Sequence, residues 1–344
     1  MTQDVLWTSG QGGYKTYRIP ALAVMKTGVV LAFCEGRRAS SSDSGQIDVL
    51  LRRSLDNGTT WSEQQVVWSS EGNTCGNPAP VVDQRTGTVW LLLTWNRGDD
   101  TEARIIVRTS KDTRRVFVTS STDNGVTWGA PREITTDVKR PGWTWYATGP
   151  GAGIQTSAGR LVIPCDHIEA GTKRYYSHII YSDDHGVTWK LGGGTPKDLV
   201  NECQVVERQD KSLLLNMRSY DPTQKSRQIA ISKDGGLTWE DQRVEPVLID
   251  PICQGSIRRA DRSTILFSNA SSTNGRKNVT VQASSDDGKT WTRKLTLHSG
   301  PSAYSDLAIL RKNTVACLYE RGEKSPYETI TLARFSLKEL AKKQ

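Results

Sequence analysis

The chain has 344 residues, of which 36% are hydrophobic and 24% charged, with a formal charge of +8 and a pI near 9.1. This composition excludes collagenous and low-complexity classes, and the absence of eighteen consecutive apolar residues predicts no helical membrane span. Lys and Arg are dispersed and accompany no helix-turn-helix or zinc pattern, so no nucleic-acid partner is expected; the charge fits a solvated surface or a few buried arginines that hold a small anion.

The first residues, Met1 to Trp7, carry no basic segment followed by an apolar run, so no signal peptide is expected in this chain. A mature exported form, extracellular or periplasmic, is the favoured expectation, and a cytoplasmic one stays open. Tyr17-Arg18-Ile19-Pro20 then opens an apolar stretch to Phe33, which reads as the inner strands of a repeat unit, and Glu35-Gly36-Arg37-Arg38 leads into a Ser-rich loop that ends at Asp43.

From Ser54 onward one eight-residue pattern, Ser-x-Asp-x-Gly-x-Thr-Trp, recurs at Ser54, Ser121, Ser182, Ser232 and Ser284, with spacings of 67, 61, 50 and 52 residues. That period suits propeller blades better than helical solenoids. Between the boxes lie Val-, Ile- and Leu-rich segments such as Val89 to Leu93, Leu161 to Ile163 and Leu213 to Leu215, which read as buried strands. Within each box the Asp carboxylate can bond nearby amides, Gly takes a backbone conformation other residues avoid, and Trp packs between strands. The expected fold is all-β: a six-bladed β-propeller with five Asp boxes and one blade without a box, closed by the N- and C-terminal strands and forming one domain over 1–344. Only 336–343 reads as helical.

Six cysteines are scattered without a C-x-x-C pair, so buried thiols are expected, with disulfides permitted by the even count. The four histidines, His167, His178, His185 and His298, have no ligand-like spacing, so neither metal nor cofactor is expected. His185 lies inside a box and reads as structural. Three arginines occur in comparable strand settings: Arg18, Arg218 in Leu214 to Ser219, and Arg276 in Asn274 to Thr280. Guanidinium forks converging from separate blades can grip one carboxylate.

With these motifs the chain resembles the exo-sialidases (neuraminidases) of the bacterial and animal non-viral type, glycoside hydrolase family 33, from Tyr14 to about Phe335. The resemblance implies a carboxylate clamp of Arg18, Arg218 and Arg276; an acid/base Asp43, five residues after Arg38; a nucleophile Tyr304 in Ala303-Tyr304-Ser305-Asp306-Leu307; its partner Glu202 in Glu202-Cys203-Gln204; and Glu320 steadying Arg18. It also implies substrate contacts from Arg38 and its neighbour Arg37, from Asn77-Pro78 and Glu102 to the N-acetyl or glycerol groups, and from Asp166 and His167 to the glycerol tail. The implied activity is retaining hydrolysis of terminal α-linked sialic acid from sialylated glycans by a monomer. Transfer, intramolecular transfer and preference for the deaminated sugar remain open, as does, in another class, a non-catalytic sialoside-binding propeller. A Tyr nucleophile suits an anomeric carbon that bears its own carboxylate, which would repel an anionic Asp or Glu.

Overall fold

The computed structural model describes residues 1–342. Its strands pair into antiparallel runs of four. The first run comprises Thr16–Val24, Val30–Arg37, Ile47–Ser54 and Gln65–Trp68, and the second Thr74–Val82, Val89–Asn96, Arg115–Ser121 and Arg132–Glu133. A single parallel pair, Ile47 with Thr74, joins these two runs into one sheet. The third run is built on Trp143–Thr148, Leu161–Glu169, Tyr175–Ser182 and Lys190–Gly194, and the fourth on Val200–Glu207, Leu213–Ser219, Ser226–Ser232 and Glu240–Ile249.

The seventeen-residue strand Arg293–Ile309 belongs to two runs, since its first half pairs Lys277–Ser284 and its second half pairs Thr314–Arg321. Fifth and sixth runs follow from this, and the sixth ends where Thr2–Thr8 adds to Thr329–Ser336. The N-terminal strand thus completes a sheet made by the C-terminal end, as ring closure of a propeller requires. We read the six runs as blades.

The boxes hold the turns as their chemistry dictates. In the box at Ser232 the hydroxyl donates to Asp234 (2.8 Å) and accepts from the Gly236 amide (2.8 Å), while Thr238 donates to the other Asp234 oxygen (2.6 Å). Gly236 has φ +93°, a left-handed conformation that a Cβ would disfavour. The Trp of each box then packs into the seam with the preceding blade. Trp189, from the third blade, joins Val81 and Leu92 of the second; Trp239 joins Val162 and Ile179 of the third; Trp61, from the first, meets Leu318 and Leu332 of the sixth. Box and core are therefore one device: the turn aims the indole that glues adjacent blades.

One expectation fails at the C-terminus. Instead of a helix over 336–343, the chain makes a single 3-10 turn, Leu337–Glu339, closed by a Ser336–Glu339 capping box, and then a short strand, Ala341–Lys342, paired to Arg293 and Lys294. The exposed edge of the strand from Arg293 offers unpaired backbone groups, and pairing with it outweighs the helix propensity of Lys and Leu. Residue 343 lies outside the described residues. All six cysteines are buried and free.

Candidate active site

Inner strands deliver their side chains to one end of the axial channel, and five of them are irregular at that end. Register shifts fall between Arg18 and Ala21, Gly76 and Ala79, Trp143 and Tyr146, Val200 and Cys203, and Ser302 and Ser305. Bulges re-aim side chains next to functional sites, and here the displaced segments carry Asn77, Trp145, Glu202 and Tyr304, all on one pocket. Ile19, also displaced, has φ +60°, a strained conformation for a β-branched residue. Its amide is held by Glu320 (2.9 Å).

The pocket has a volume of about 170 Å³ and an almost wholly polar lining. At its floor the Tyr304 hydroxyl donates to Glu202 Oε1 (2.5 Å) and accepts from Arg218 Nη1 (3.2 Å), which also pairs with Glu202 Oε2 (2.6 Å). Burial and the Glu202 charge push the phenol well above its ordinary value, while Arg218, Arg276 and Arg18 pull the other way. Tyr304 is therefore a neutral phenol at rest, with its proton already directed at a carboxylate.

Three guanidiniums surround it. Arg18 donates through Nε to Glu320 (2.7 Å), which leaves its two outer nitrogens for the pocket, and its carbon lies 4.9 Å from the Tyr304 ring centre. Glu320, wholly buried, also accepts the Tyr304 amide (3.1 Å) and so ties clamp and phenol together. Arg276 lies 5.5 Å from the same ring and is held by neutral oxygens alone, the Tyr327 hydroxyl (2.9 Å) and the Ile252 carbonyl (3.3 Å). Arg18 and Arg218 are thus matched by carboxylates and Arg276 is not, which leaves a guanidinium suited to an incoming anion.

Asp43 stands at the mouth with its side chain 61% exposed and pairs with Arg37 (2.7 Å). Burial by the pocket walls pulls its carboxyl up, but Arg37 and then Arg18 outweigh that and hold it below the ordinary carboxylate range. On the far side Glu102, the first residue of a short helix (Glu102–Ile106), and Asp166, wholly buried, are both pushed up: Glu102 by burial and Asp43, Asp166 by burial, Glu202 and Glu102. Asp166 Oδ2 has no protein partner. Burial thus favours the protonated form of both, in which a carboxyl donates as well as accepts.

Of the residues singled out from sequence, the structure gathers Arg18, Arg37, Asp43, Asn77, Glu102, Asp166, Glu202, Arg218, Arg276 and Tyr304 on this pocket. Arg38 is a correction. Along an extended strand neighbours face opposite sides, so with Arg37 turned inward Arg38 turns out, paired to Asp48 (2.8 Å) and stacked over the Tyr14 ring (4.9 Å). His167 also lies off the pocket, stacked on Trp143 (3.5 Å between centroids) with Nδ1 3.0 Å from that of His178. Arg276 precedes its strand rather than lying in it, since that strand begins at Lys277.

Sequence reasoning missed Glu35, Arg114 and Trp145. Glu35 accepts from Arg37 (2.7 Å) and from the Asn77 amide (2.8 Å), an approach open only because residue 76 is glycine: a Cβ there would lie 2.5 Å from its Oε1. An acidic residue inside the apolar run Val30–Arg37 was the available signal. Arg114 is buried over the Trp145 ring (4.0 Å) among Asn77, Thr94 and Asn96. Its place in Thr113-Arg114-Arg115 looks like an ordinary solvated strand entry, and no sequence signal marks it.

A family described as a BNR repeat-like domain matches residues 28–317. The chain is 33% identical over 97% of its length to a sialidase of Bacteroides fragilis, of which it spans 64%, so that relative is substantially longer. It is 31% identical to mouse Sialidase-3, over 93% of this chain and 91% of that one. Among solved structures it superposes on the Hadza microbial sialidase Hz136 with a TM-score of 0.89 and 31% identity, covering 99% of this chain and 69% of the other. A propeller of BNR-like repeats with this pocket and these relatives belongs to the sialidase family.

Proposed function

We propose that the chain is a cofactor-independent, retaining exo-α-sialidase that acts on sialylated glycans. The observation that carries this reading is the 2.5 Å hydrogen bond from Tyr304 to Glu202 beneath three guanidiniums. A sugar-binding propeller would need the clamp but not a phenol already bonded to a base.

In the proposed reaction the sugar carboxylate enters the Arg18, Arg218 and Arg276 clamp, with the anomeric carbon over Tyr304. As the phenol oxygen attacks, its proton passes to Glu202 Oε1, the glycosidic C–O bond breaks, and Asp43 supplies a proton to the leaving oxygen. Water then attacks from the mouth, Asp43 takes its proton, and the proton on Glu202 returns to Tyr304. Two displacements retain configuration. The guanidiniums stabilise negative charge as it develops on the phenol oxygen.

The free site holds Asp43 ionised, whereas the first step needs it protonated. Substrate binding resolves this, because its carboxylate offsets Arg18, one of the charges that depresses Asp43. Glu102 and Asp166 are positioned to meet the hydroxyl-rich end of the sugar.

The test is release of sialic acid from an aryl α-sialoside, wild type beside Tyr304→Phe, with the first product read by proton NMR. Free α-sialic acid supports the reading; an anhydro sugar or a transferred residue in the presence of acceptor replaces hydrolysis by transfer. Absence of any product leaves sugar binding.

A further inference from the structure

The axial channel continues below the pocket. Alternation along the inner strands sets three layers: Tyr304, Asp306 and Ala308 on one strand, Glu202, Gln204 and Val206 on another. The middle layer is sealed by hydrogen bonds. Asp306, wholly buried, accepts from the Leu22 amide (2.8 Å), the Ala152 amide (3.2 Å) and the Ser256 hydroxyl (2.8 Å), and Gln204 donates to the Pro150 carbonyl (2.8 Å).

Beneath that layer lies a second cavity of about 530 Å³, within the range of small-molecule sites, whose walls mix polar surface with the apolar side chains of Val24, Met25, Val82, Ile154 and Val206. Arg258 lines it. Its Nε donates to the Leu307 carbonyl (3.1 Å) and Nη1 to the Gly153 carbonyl (3.1 Å); Nη2 donates to no protein atom and the guanidinium forms no ion pair among the described residues. Burial pulls this guanidinium below its ordinary value, opposed by Asp306, which is already engaged by three donors.

The upper pocket shows what such an arrangement means. Arg18, Arg37 and Arg218 each have a carboxylate partner, whereas Arg276 and Arg114 have neutral oxygens only. Arg258 is held in the same neutral way, in the cavity on the opposite face. Three further charged residues line this cavity: Lys26 adds to the positive potential, Arg259 is paired with Asp287 (2.5 Å), and Glu207 is engaged by the Ser157 amide (3.0 Å) and hydroxyl (2.9 Å).

We propose that the lower mouth of the propeller is a second binding site, for a monoanion on a short aliphatic body: its carboxylate meets Arg258 Nη2 and its chain lies along the apolar side chains. The parallel with Arg276 rests on the sialidase reading, whereas the cavity and the free Arg258 Nη2 do not.

The experiment is calorimetric titration of octanoate into the full chain, with and without saturating sialic acid, and with octanol as the uncharged control. One-to-one binding that survives sialic acid, is absent for octanol and weakens about 10- to 100-fold in Arg258→Gln is expected, since a hydrogen bond to a charged group contributes that much. Val24→Trp, which narrows the cavity without touching Arg258, should weaken it too. Sialoside turnover by both variants should stay within about twofold of wild type, because neither side chain reaches the upper pocket. Octanoate that fails to bind saturably into the millimolar range, that sialic acid displaces, or that binds both variants as it binds wild type overturns the proposal.

Discussion

Tyr304 and Glu202 stand 102 residues apart in sequence and on different blades, yet the phenol donates to the carboxylate across 2.5 Å. The proposed nucleophile and its base are thus brought together by the fold. Replacing Glu202 by Gln keeps the shape but removes the proton acceptor. We expect kcat on an aryl sialoside to fall about 10²- to 10⁴-fold, the range typical of lost general-base catalysis, with KM much less affected. Steady-state kinetics checks this, and an equal rise in KM would instead place Glu202 in binding.

Arg276 makes only neutral contacts, so its charge is available to the sugar carboxylate. Arg276→Ala should weaken sialic acid binding by about 1.5–3 kcal/mol, the usual contribution of a hydrogen bond to a charged group, or roughly 10- to 100-fold. Calorimetry reads it directly. Unchanged affinity would remove Arg276 from the clamp.

Arg37 and Asp43 allow a pH test with a definite sign. The acid must be protonated in the first step, so kcat/KM falls as pH rises through the Asp43 value in the free protein. Arg37 is the strongest influence holding that value down. In Arg37→Met the descending limb should therefore move to higher pH, whatever happens to its height. A limb that stays in place would mean that another group governs it. Asp43→Ala should impair alkyl sialosides far more than aryl ones, because a basic leaving oxygen depends most on acid help.

How much of this was legible beforehand follows from what each signal encodes. The boxes are local: Ser, Asp, Gly and Thr bond one another within eight residues, so pattern alone exposes the repeats. The clamp and the Tyr304–Glu202 pair were legible through family motifs rather than through physics, since nothing local to Glu202 says that it meets Tyr304. The bulges were not legible. They depend on pairing between strands, and one of them decides that Trp145 lines the pocket. The tail misled for a related reason: helix propensity over 336–343 is local, whereas the edge it pairs with lies more than forty residues earlier.

Because Arg38 leans on Tyr14 and Asp48 outside the pocket, Arg38→Ala should leave kcat/KM within about threefold, whereas a lost clamp contact would cost at least tenfold. A larger loss, with the fold intact by circular dichroism, would return Arg38 to substrate binding.

The blade seams give a prediction about stability. Trp239 is 6% exposed and packs among Val162, Ile179 and Leu213, and its indole donates to the Gly193 carbonyl (3.0 Å), so it joins the fourth blade to the third. Trp239→Ala removes that volume and leaves a cavity, at a cost of about 3–5 kcal/mol by analogy with other large-to-small core changes. Trp61, only partly buried at the seam between first and sixth blades, should cost less when truncated, because water already covers part of it. Denaturant unfolding of the two variants side by side checks the order. If Trp61→Ala were the more damaging, ring closure at the terminal strands, rather than depth of burial, would be what limits the stability of the propeller.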